Sequence, residues 1–162
     1  MKSLAKKILS TMNNQDEYFM GLALKEAKKA ELIDEVPIGA VIVHEGKVIA
    51  RAHNKRVSTN RTIAHAEILA IEKANKKIGS WRLEDMTLYV TIEPCPMCAG
   101  AILQSRVKRV VFGSRDYKAG AVGSVFNLFD YQFNHTVEIT CGILEEDCSK
   151  IVKNFFKRLR KR

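Results

Sequence analysis

Two short motifs carry the residue types of a metal centre. The chain reads His-Ala-Glu at 65–67 and, about thirty residues later, Pro-Cys-Pro-Met-Cys at 94–98. His65, Cys95 and Cys98 provide an imidazole and two thiolates, which are good zinc ligands. A structural zinc site closes all four coordination positions with protein ligands, whereas a catalytic site leaves one open for water. Three ligands and a spare carboxylate therefore predict a catalytic metal centre.

The flanking residues predict that both motifs begin helices. A proline in the first turn of a helix loses no hydrogen bond, so Pro96 suits a helix start at the cysteine motif. Cys95 and Cys98 then share one face of that turn, where the helix dipole favours thiolates. His65 precedes an apolar helical segment, and Thr62 is its predicted N-cap. Two helix N-termini are thus expected to converge on one metal ion.

The role of Glu67 does not follow from spacing. Residues at i and i+2 of a regular helix point in different directions, so the pattern does not place this carboxylate beside the metal that His65 holds. The signature H-x-E…P-C-x-x-C resembles that of the zinc-dependent nucleobase deaminases, in which the glutamate is a general acid and base. That resemblance, rather than geometry, implies that Glu67 is the catalytic residue.

The resemblance extends over nearly the whole chain, from roughly Asp16 to Phe156. Glu-Val-Pro-Ile-Gly-Ala at 35–40, Asn54, the segment 91–101 and the segment 110–124 are similar to bacterial tRNA adenosine deaminase, the TadA family. The 110–124 segment is more specific than the zinc motif, which many deaminases share.

Membership of that family implies hydrolytic deamination of adenosine to inosine at the wobble position of a tRNA anticodon. It implies one Zn²⁺ per chain on His65, Cys95 and Cys98, with Glu67 transferring protons. The implied substrate is the anticodon stem-loop of an arginine tRNA, and the implied assembly is a homodimer. Substrate contacts are assigned by resemblance to Asn54, Asp116, Lys118 and Phe156.

Two other functions stay open at this point. A deaminase of free nucleobases or nucleosides, of the guanine or cytosine type, would carry the same zinc motif. A non-catalytic, zinc-stabilised RNA-binding module would leave Glu67 without a role and would need a fourth protein ligand.

Several conspicuous residues have ordinary interpretations. Cys141 and Cys148 are expected to be buried free thiols. Trp81 and Tyr89 adjoin apolar residues, which favours packing over base stacking. Phe156 has helical spacing with other apolar residues, so a place in the core is the alternative to its implied role at the RNA.

Positive charge is concentrated at the two ends of the chain. The segments 1–14 and 150–162 carry ten of the 27 lysines and arginines and no acidic residue, although the whole chain has a formal net charge of +9. Residues 157–162 form a predicted phosphate-contacting tail, with solvation of a helix end as the alternative. We therefore predict a basic N-terminal extension at 1–15, a deaminase domain at 16–156 and a basic C-terminal tail at 157–162.

Composition and patterning predict one domain without a membrane span. No apolar run reaches the length needed to cross a bilayer. The four cysteines, without a clear secretory signal, favour the reducing cytoplasm. Periodicity predicts alternating helices and strands, and hence a single α/β/α layer sandwich around a mixed sheet, as in cytidine deaminase-like proteins. The helices are expected at 16–30, 64–76, 96–104 and 145–159, and the strands at 38–43, 47–52, 86–92, 107–112 and 136–140.

Overall fold

Helices and strands alternate along residues 2–162, the part of the chain described by a computed structural model. The helices are α1 (Lys2–Leu32), α2 (Ala66–Ile78), α3 (Pro96–Gln104) and α4 (Glu145–Arg160). The strands are β1 (Gly39–His44), β2 (Lys47–His53), β3 (Met86–Ile92), β4 (Arg109–Ser114) and β5 (Glu138–Cys141). Most predicted boundaries lie within two residues of these.

The five strands form one mixed sheet in the order β2-β1-β3-β4-β5. The hairpin β1–β2 and the pair β1–β3 are antiparallel, whereas β3, β4 and β5 run parallel. A parallel pair needs a crossover connection, and α3 provides it between β3 and β4. This topology confirms the mixed sheet expected from the sequence.

Alternate strand residues bury opposite faces of the sheet. Ala40 and Ile42 of β1 pack in the cluster that contains residues of α2 and α3, whereas Val41 and Val43 pack in the cluster that contains residues of α1 and Cys148 of α4. The period of two along a strand therefore produces two apolar layers, each covered by helices. This is the predicted α/β/α layer sandwich.

Helix α1 is twice as long as predicted. Its predicted packing residues are buried, namely Phe19, Leu22, Ala23 and Ala27. The helix nevertheless begins at Lys2, and residues 2–15 are exposed. No proline or glycine interrupts that segment, so no residue within it breaks the helix. The predicted domain boundaries at 15/16 and 156/157 both fall inside helices, α1 and α4; Met1 lies outside the described residues.

A partly buried hydrogen bond attaches α1 to the end of β2. Glu26 Oε2 lies 2.9 Å from His53 Nδ1, and Lys29 Nζ donates to Glu26 Oε1 at 2.7 Å. Burial raises the pKa of Glu26, but the hydrogen bonds and charges of Lys29 and His53 outweigh it, so the pKa lies below the ordinary value of 4.5. Glu26 is therefore held as a carboxylate in the native state.

Two expectations about individual side chains are wrong. Cys141 is exposed rather than buried, because it ends β5 at the edge of the sheet. Trp81 is 56% exposed, and the guanidinium groups of Arg82 and Arg106 lie 4.9 and 5.8 Å from its ring centroid. Cys148 and Tyr89 are buried as predicted. Among the described residues, no helix is both long and apolar enough to cross a membrane.

Candidate metal centre and active-site cavity

The proposed ligands lie at the N-termini of two helices. His65 is the N-cap residue of α2 and Cys95 is the N-cap residue of α3, with Pro96 in the first turn. The prediction that Thr62 caps α2 is wrong, since Thr62 is an exposed residue of the preceding loop. A side chain from outside the helix serves instead: Asn54 Oδ1 accepts the N–H of Ala66 at 2.8 Å.

The three donor atoms have the spacing of a metal site. His65 Nδ1 lies 3.7 Å from Cys95 Sγ and 3.5 Å from Cys98 Sγ, and all three donor atoms lie within 4.8 Å of one another. Tetrahedral zinc, with bonds of about 2.3 Å to sulfur and 2.0–2.1 Å to nitrogen, separates such atoms by about 3.5 Å. The spacing of the three donor atoms therefore fits a tetrahedral metal site. An imidazole and two thiolates are ligands that zinc accepts, so the donor set suits zinc.

The pKa values of the two thiols are shifted in opposite directions. A hydrogen bond from Cys98 lowers the pKa of Cys95 to about 4. The converse hydrogen bond, together with burial, raises the pKa of Cys98. A hydrogen bond with Cys95 raises the pKa of His65. Of the two thiols, Cys95 is therefore the one that ionises more readily.

The structure explains how Glu67 reaches the site. Because His65 is the N-cap, its backbone is extended (φ −78°, ψ 152°) rather than helical. His65 therefore lies outside the regular helix that contains Glu67. The rule that residues at i and i+2 of a helix point in different directions does not apply to this pair. Glu67 is 4% exposed, and burial raises the pKa of its carboxyl group.

A cavity of about 460 Å³ opens onto these side chains. Glu35, Asn54, His65, Glu67 and Cys95 line it, and Asp116 lies at its edge. A second cavity of about 650 Å³ shares Asp116 with the first. The structure thus brings together the residues predicted to act on substrate.

The second cavity contains the remaining predicted contact residues. Lys118 and Phe156 line it, together with Tyr117, Lys153 and Arg160. Phe156 is 39% exposed, so its alternative interpretation as a core residue is wrong. Asp116 Oδ1 accepts the N–H groups of Lys118 and Ala119 at 3.0 and 3.1 Å. The carboxylate of Asp116 therefore shapes its own loop.

Two buried acids line the cavity that were not predicted as site residues, Glu35 and Glu93. Glu35 is 2% exposed and accepts the N–H of Ser58 at 2.6 Å, whereas Glu93 is 3% exposed and lies next to the cysteine motif. Each acid directly adjoins an apolar stretch, and in both cases a proline lies within two residues. Acidic residues are rarely buried, so a single acidic residue next to an apolar segment and a proline is the sequence feature that could have identified them.

Comparison with known proteins decides the family. Residues 13–160 match the MafB19-like deaminase family. A tRNA-specific adenosine deaminase of Bacillus subtilis (strain 168) is 56% identical over 149 residues, which cover 91% of this chain and 92% of the relative. The chain belongs to the TadA family of tRNA-specific adenosine deaminases. A second TadA relative, from Haemophilus influenzae, is 50% identical over 90% of this chain and 85% of its own length.

Solved structures agree with the TadA assignment. A tRNA deaminase described for A-to-I editing at the wobble position of transfer RNA superposes with a TM-score of 0.80 at 44% identity, covering 83% of this chain and 98% of that one. A guanine deaminase from Nitrosomonas europaea has the same fold, with a TM-score of 0.73 at 26% identity over 86% of this chain and 83% of its own. Sequence similarity is therefore greater to the tRNA deaminase.

Proposed function

We propose that this protein is a hydrolase that converts the wobble adenosine of a tRNA anticodon to inosine and releases ammonia. The observation that carries the proposal is one cavity in a TadA-family fold that joins a His-Cys-Cys donor set to a buried glutamate and to Asn54. The overall reaction consumes one water for each adenosine.

The donor set is proposed to hold one Zn²⁺ per chain through His65, Cys95 and Cys98. A zinc ion bound by three protein ligands supplies a Lewis acid that lowers the pKa of a coordinated water from about 15.7 to about 7. The described residues offer three clustered ligands. A structural zinc site would need a fourth, so the donor count supports catalysis over the RNA-binding module.

Glu67 is proposed to move the protons of the reaction. Its carboxylate accepts a proton from water as the water oxygen bonds to C6 of adenine, and it delivers that proton to the adjacent ring nitrogen. It then carries the second proton of the former water from the C6 hydroxyl to the amino group, so that the C6–N bond breaks, ammonia leaves and a C6 carbonyl remains. A raised pKa suits both steps, because the group must take up a proton and then release it near neutral pH. Burial, which raises the pKa of Glu67, thus matches the proposed role.

Asn54 is proposed to hold the target nucleotide. Its Oδ1 atom is occupied by the N–H of Ala66, which fixes the orientation of the amide. The side chain of Asn54 lines the cavity. An oriented amide donor at a cavity wall is suited to bind an acceptor on the nucleotide.

The second cavity supports an RNA substrate over a free nucleoside. Its lining combines the cations Lys118, Lys153 and Arg160 with the aromatic rings of Tyr117 and Phe156. Cations that meet phosphates and rings that stack on bases are the usual means of gripping single-stranded RNA. We propose that Lys118 and Phe156 contact nucleotides beside the target, and that Asp116 contributes by shaping the loop.

The finer features of the proposal rest on the family. We propose an arginine tRNA as substrate, a homodimer as the assembly and the cytoplasm as the compartment. A cytoplasmic location is supported by four unpaired cysteines, two of them in the proposed metal site. The basic tail at 157–162 is proposed to contact phosphates of the same RNA.

The deciding experiment offers RNA and free nucleosides in parallel. Purified protein is incubated with an anticodon stem-loop that contains a wobble adenosine, with the same stem-loop carrying guanosine there, and with adenosine, cytidine and guanine. We expect inosine and ammonia only from the first RNA. Comparable turnover of a free compound would favour the guanine or cytosine type of deaminase, and no turnover of any would favour the RNA-binding module.

A further inference from the structure

Glu93 is a buried carboxylate that receives all its hydrogen bonds from one loop. Its Oε1 atom accepts the N–H of Asp116 at 3.2 Å and the hydroxyl of Ser124. Its Oε2 atom accepts the N–H groups of Val122 and Ser124 at 3.0 and 3.1 Å. These donors all belong to residues 115–124, the segment after β4, which we name the editing loop.

In the described part of the chain, the Glu93 carboxylate is buried without a positively charged partner. Among the described residues, no lysine, arginine or histidine forms an ion pair with Glu93. The carboxylate is 3% exposed, so its charge is balanced by backbone N–H dipoles, as in an anion nest. A carboxylate is costly to bury without hydrogen-bond donors. The loop is therefore held in the conformation that directs its N–H groups towards Glu93.

The loop sequence is adapted to this contact. A side chain at Gly120 would overlap both the Glu93 carboxylate and the carbonyl oxygen of Asp116. Gly120 N–H donates to that same carbonyl at 2.8 Å. The absence of a Cβ thus lets the turn close directly over the acid.

Glu93 also belongs to the turn that presents the metal ligands. It lies between β3 and Cys95, and the N–H of Ala121 donates to the carbonyl of the intervening Pro94 at 2.9 Å. The editing loop is therefore fastened to the ligand turn at two neighbouring residues. At its outer side the loop exposes Tyr117 and Lys118, which line the second cavity.

We propose that Glu93 is a positioning residue that locks the editing loop against the metal-ligand turn, so that the loop meets the RNA in a preformed shape. The proposal rests on the proposed function, because it assigns the loop to substrate RNA. When this contact is lost, RNA binding must also order the loop, which weakens the affinity for RNA. The chemical step at Glu67 is unchanged.

The Glu93→Gln substitution tests the lock with little change in size. An amide NH₂ would face loop N–H groups in place of an oxygen, so donors would meet donors. We expect the KM for the stem-loop to rise by about tenfold or more, which corresponds to about one strong hydrogen bond. The kcat is expected to stay within about threefold and zinc content to stay unchanged. Glu146→Gln, an exposed site on α4, is the matched control.

Hydrogen exchange tests the lock independently of catalysis. In Glu93→Gln the amide hydrogens of Val122 and Ser124 should exchange faster, whereas those of β3 should keep their protection. If they exchange no faster, the lock is refuted, whether or not the protein deaminates RNA. If kcat and zinc content fall while KM is unchanged, Glu93 acts on the ligand turn and the proposal is wrong.

A milder variant covers the case in which Glu93→Gln does not fold. Ser124→Ala removes the single hydroxyl donor to Glu93 at a half-buried position. We expect a smaller rise in KM in the same direction and faster exchange at Val122, with kcat unaffected. Wild-type KM and exchange in this variant would equally contradict the proposal. A wild-type protein that fails to deaminate the stem-loop would instead overturn the proposed function.

Discussion

At the scale of single residues, the four cysteines divide into two pairs that metal analysis distinguishes. Cys95→Ala and Cys98→Ala should each lose zinc, because three ligands leave no reserve. Cys141 is exposed and Cys148 is buried beside Gly113, so Cys141→Ala and Cys148→Ala serve as exposed and buried controls and should keep about one zinc per chain. Stoichiometric zinc in Cys98→Ala would remove it from the ligand set.

Glu67→Ala should separate metal binding from catalysis. We expect a folded, zinc-containing protein whose kcat is lower by about 10²–10⁴-fold, the range for a positioned acid–base group. Glu72→Ala, at an exposed position of the same helix, is the control and should keep full activity. Single-turnover rates with saturating stem-loop measure the effect, and a loss of only a few-fold would exclude Glu67 as the proton carrier.

Residue types and spacing predicted the donor set but not every geometry around it. His65, Cys95 and Cys98 lie close together as predicted, because the two cysteines share the start of α3 and His65 is the N-cap residue of α2. The approach of Glu67 was not predictable, because it depends on His65 adopting an extended N-cap conformation. The capping of α2 by Asn54 was missed for a similar reason, as the contact joins residues twelve positions apart.

At the scale of elements, the Glu26–His53 pair predicts how the attachment of α1 depends on pH. The folded-state pKa of Glu26 lies below its ordinary value of 4.5. Its contribution to stability is therefore complete above about pH 4.5 and is lost as the pH falls through the lower folded-state value. Below that value the carboxyl is protonated in both folded and unfolded states.

Urea unfolding of wild type and Glu26→Gln across this range gives the measurement. The difference in the free energy of unfolding should be constant from neutral pH down to about pH 5 and should shrink below about pH 4.5. Glu17→Gln, at an exposed position of α1, controls for loss of a surface charge. A difference that stays constant down to about pH 3 would show that Glu26 is not held as a carboxylate by its partners.

Periodicity predicted the packed elements better than the ends of the chain. The strand β3 and the helix α3 have their predicted boundaries, because apolar patterns and Pro96 mark them. The first half of α1 was not predicted because its residues bury nothing, so no packing pattern distinguishes a helix from an extension. The exposure of Cys141 depends on β5 being an edge strand, which only the strand order reveals.

At the scale of the whole molecule, ion pairs reduce the number of cations that the basic tail can offer to RNA. Arg158 and Arg162 pair with Glu31 and Asp34 of the α1 end at 3.0 and 3.1 Å. Lys157, Arg160 and Lys161 lack such partners within the described chain, and Arg160 lines the second cavity. We therefore propose that these three are the tail residues that contact phosphates.

Replacing Lys157, Arg160 and Lys161 by glutamine should flatten the salt dependence of stem-loop binding. Each lost phosphate contact lowers the log–log slope by about 0.7–0.9. The triple replacement of Lys2, Lys6 and Lys7 is a control of equal charge at the far end of α1, whose 31 residues span about 46 Å. Affinity titrations at several salt concentrations compare both variants with the wild type. A tail variant with the wild-type slope would show that the tail is only a solvated helix end.

The three proposed metal ligands come from two separately connected parts of the chain. His65 follows the β1–β2 hairpin, whereas both cysteines belong to the β3–α3–β4 crossover. These two locally connected units join edge to edge where β1 pairs with β3. A metal ion held by His65 and the two cysteines would link the two units across that seam, so its removal should weaken the contact between them.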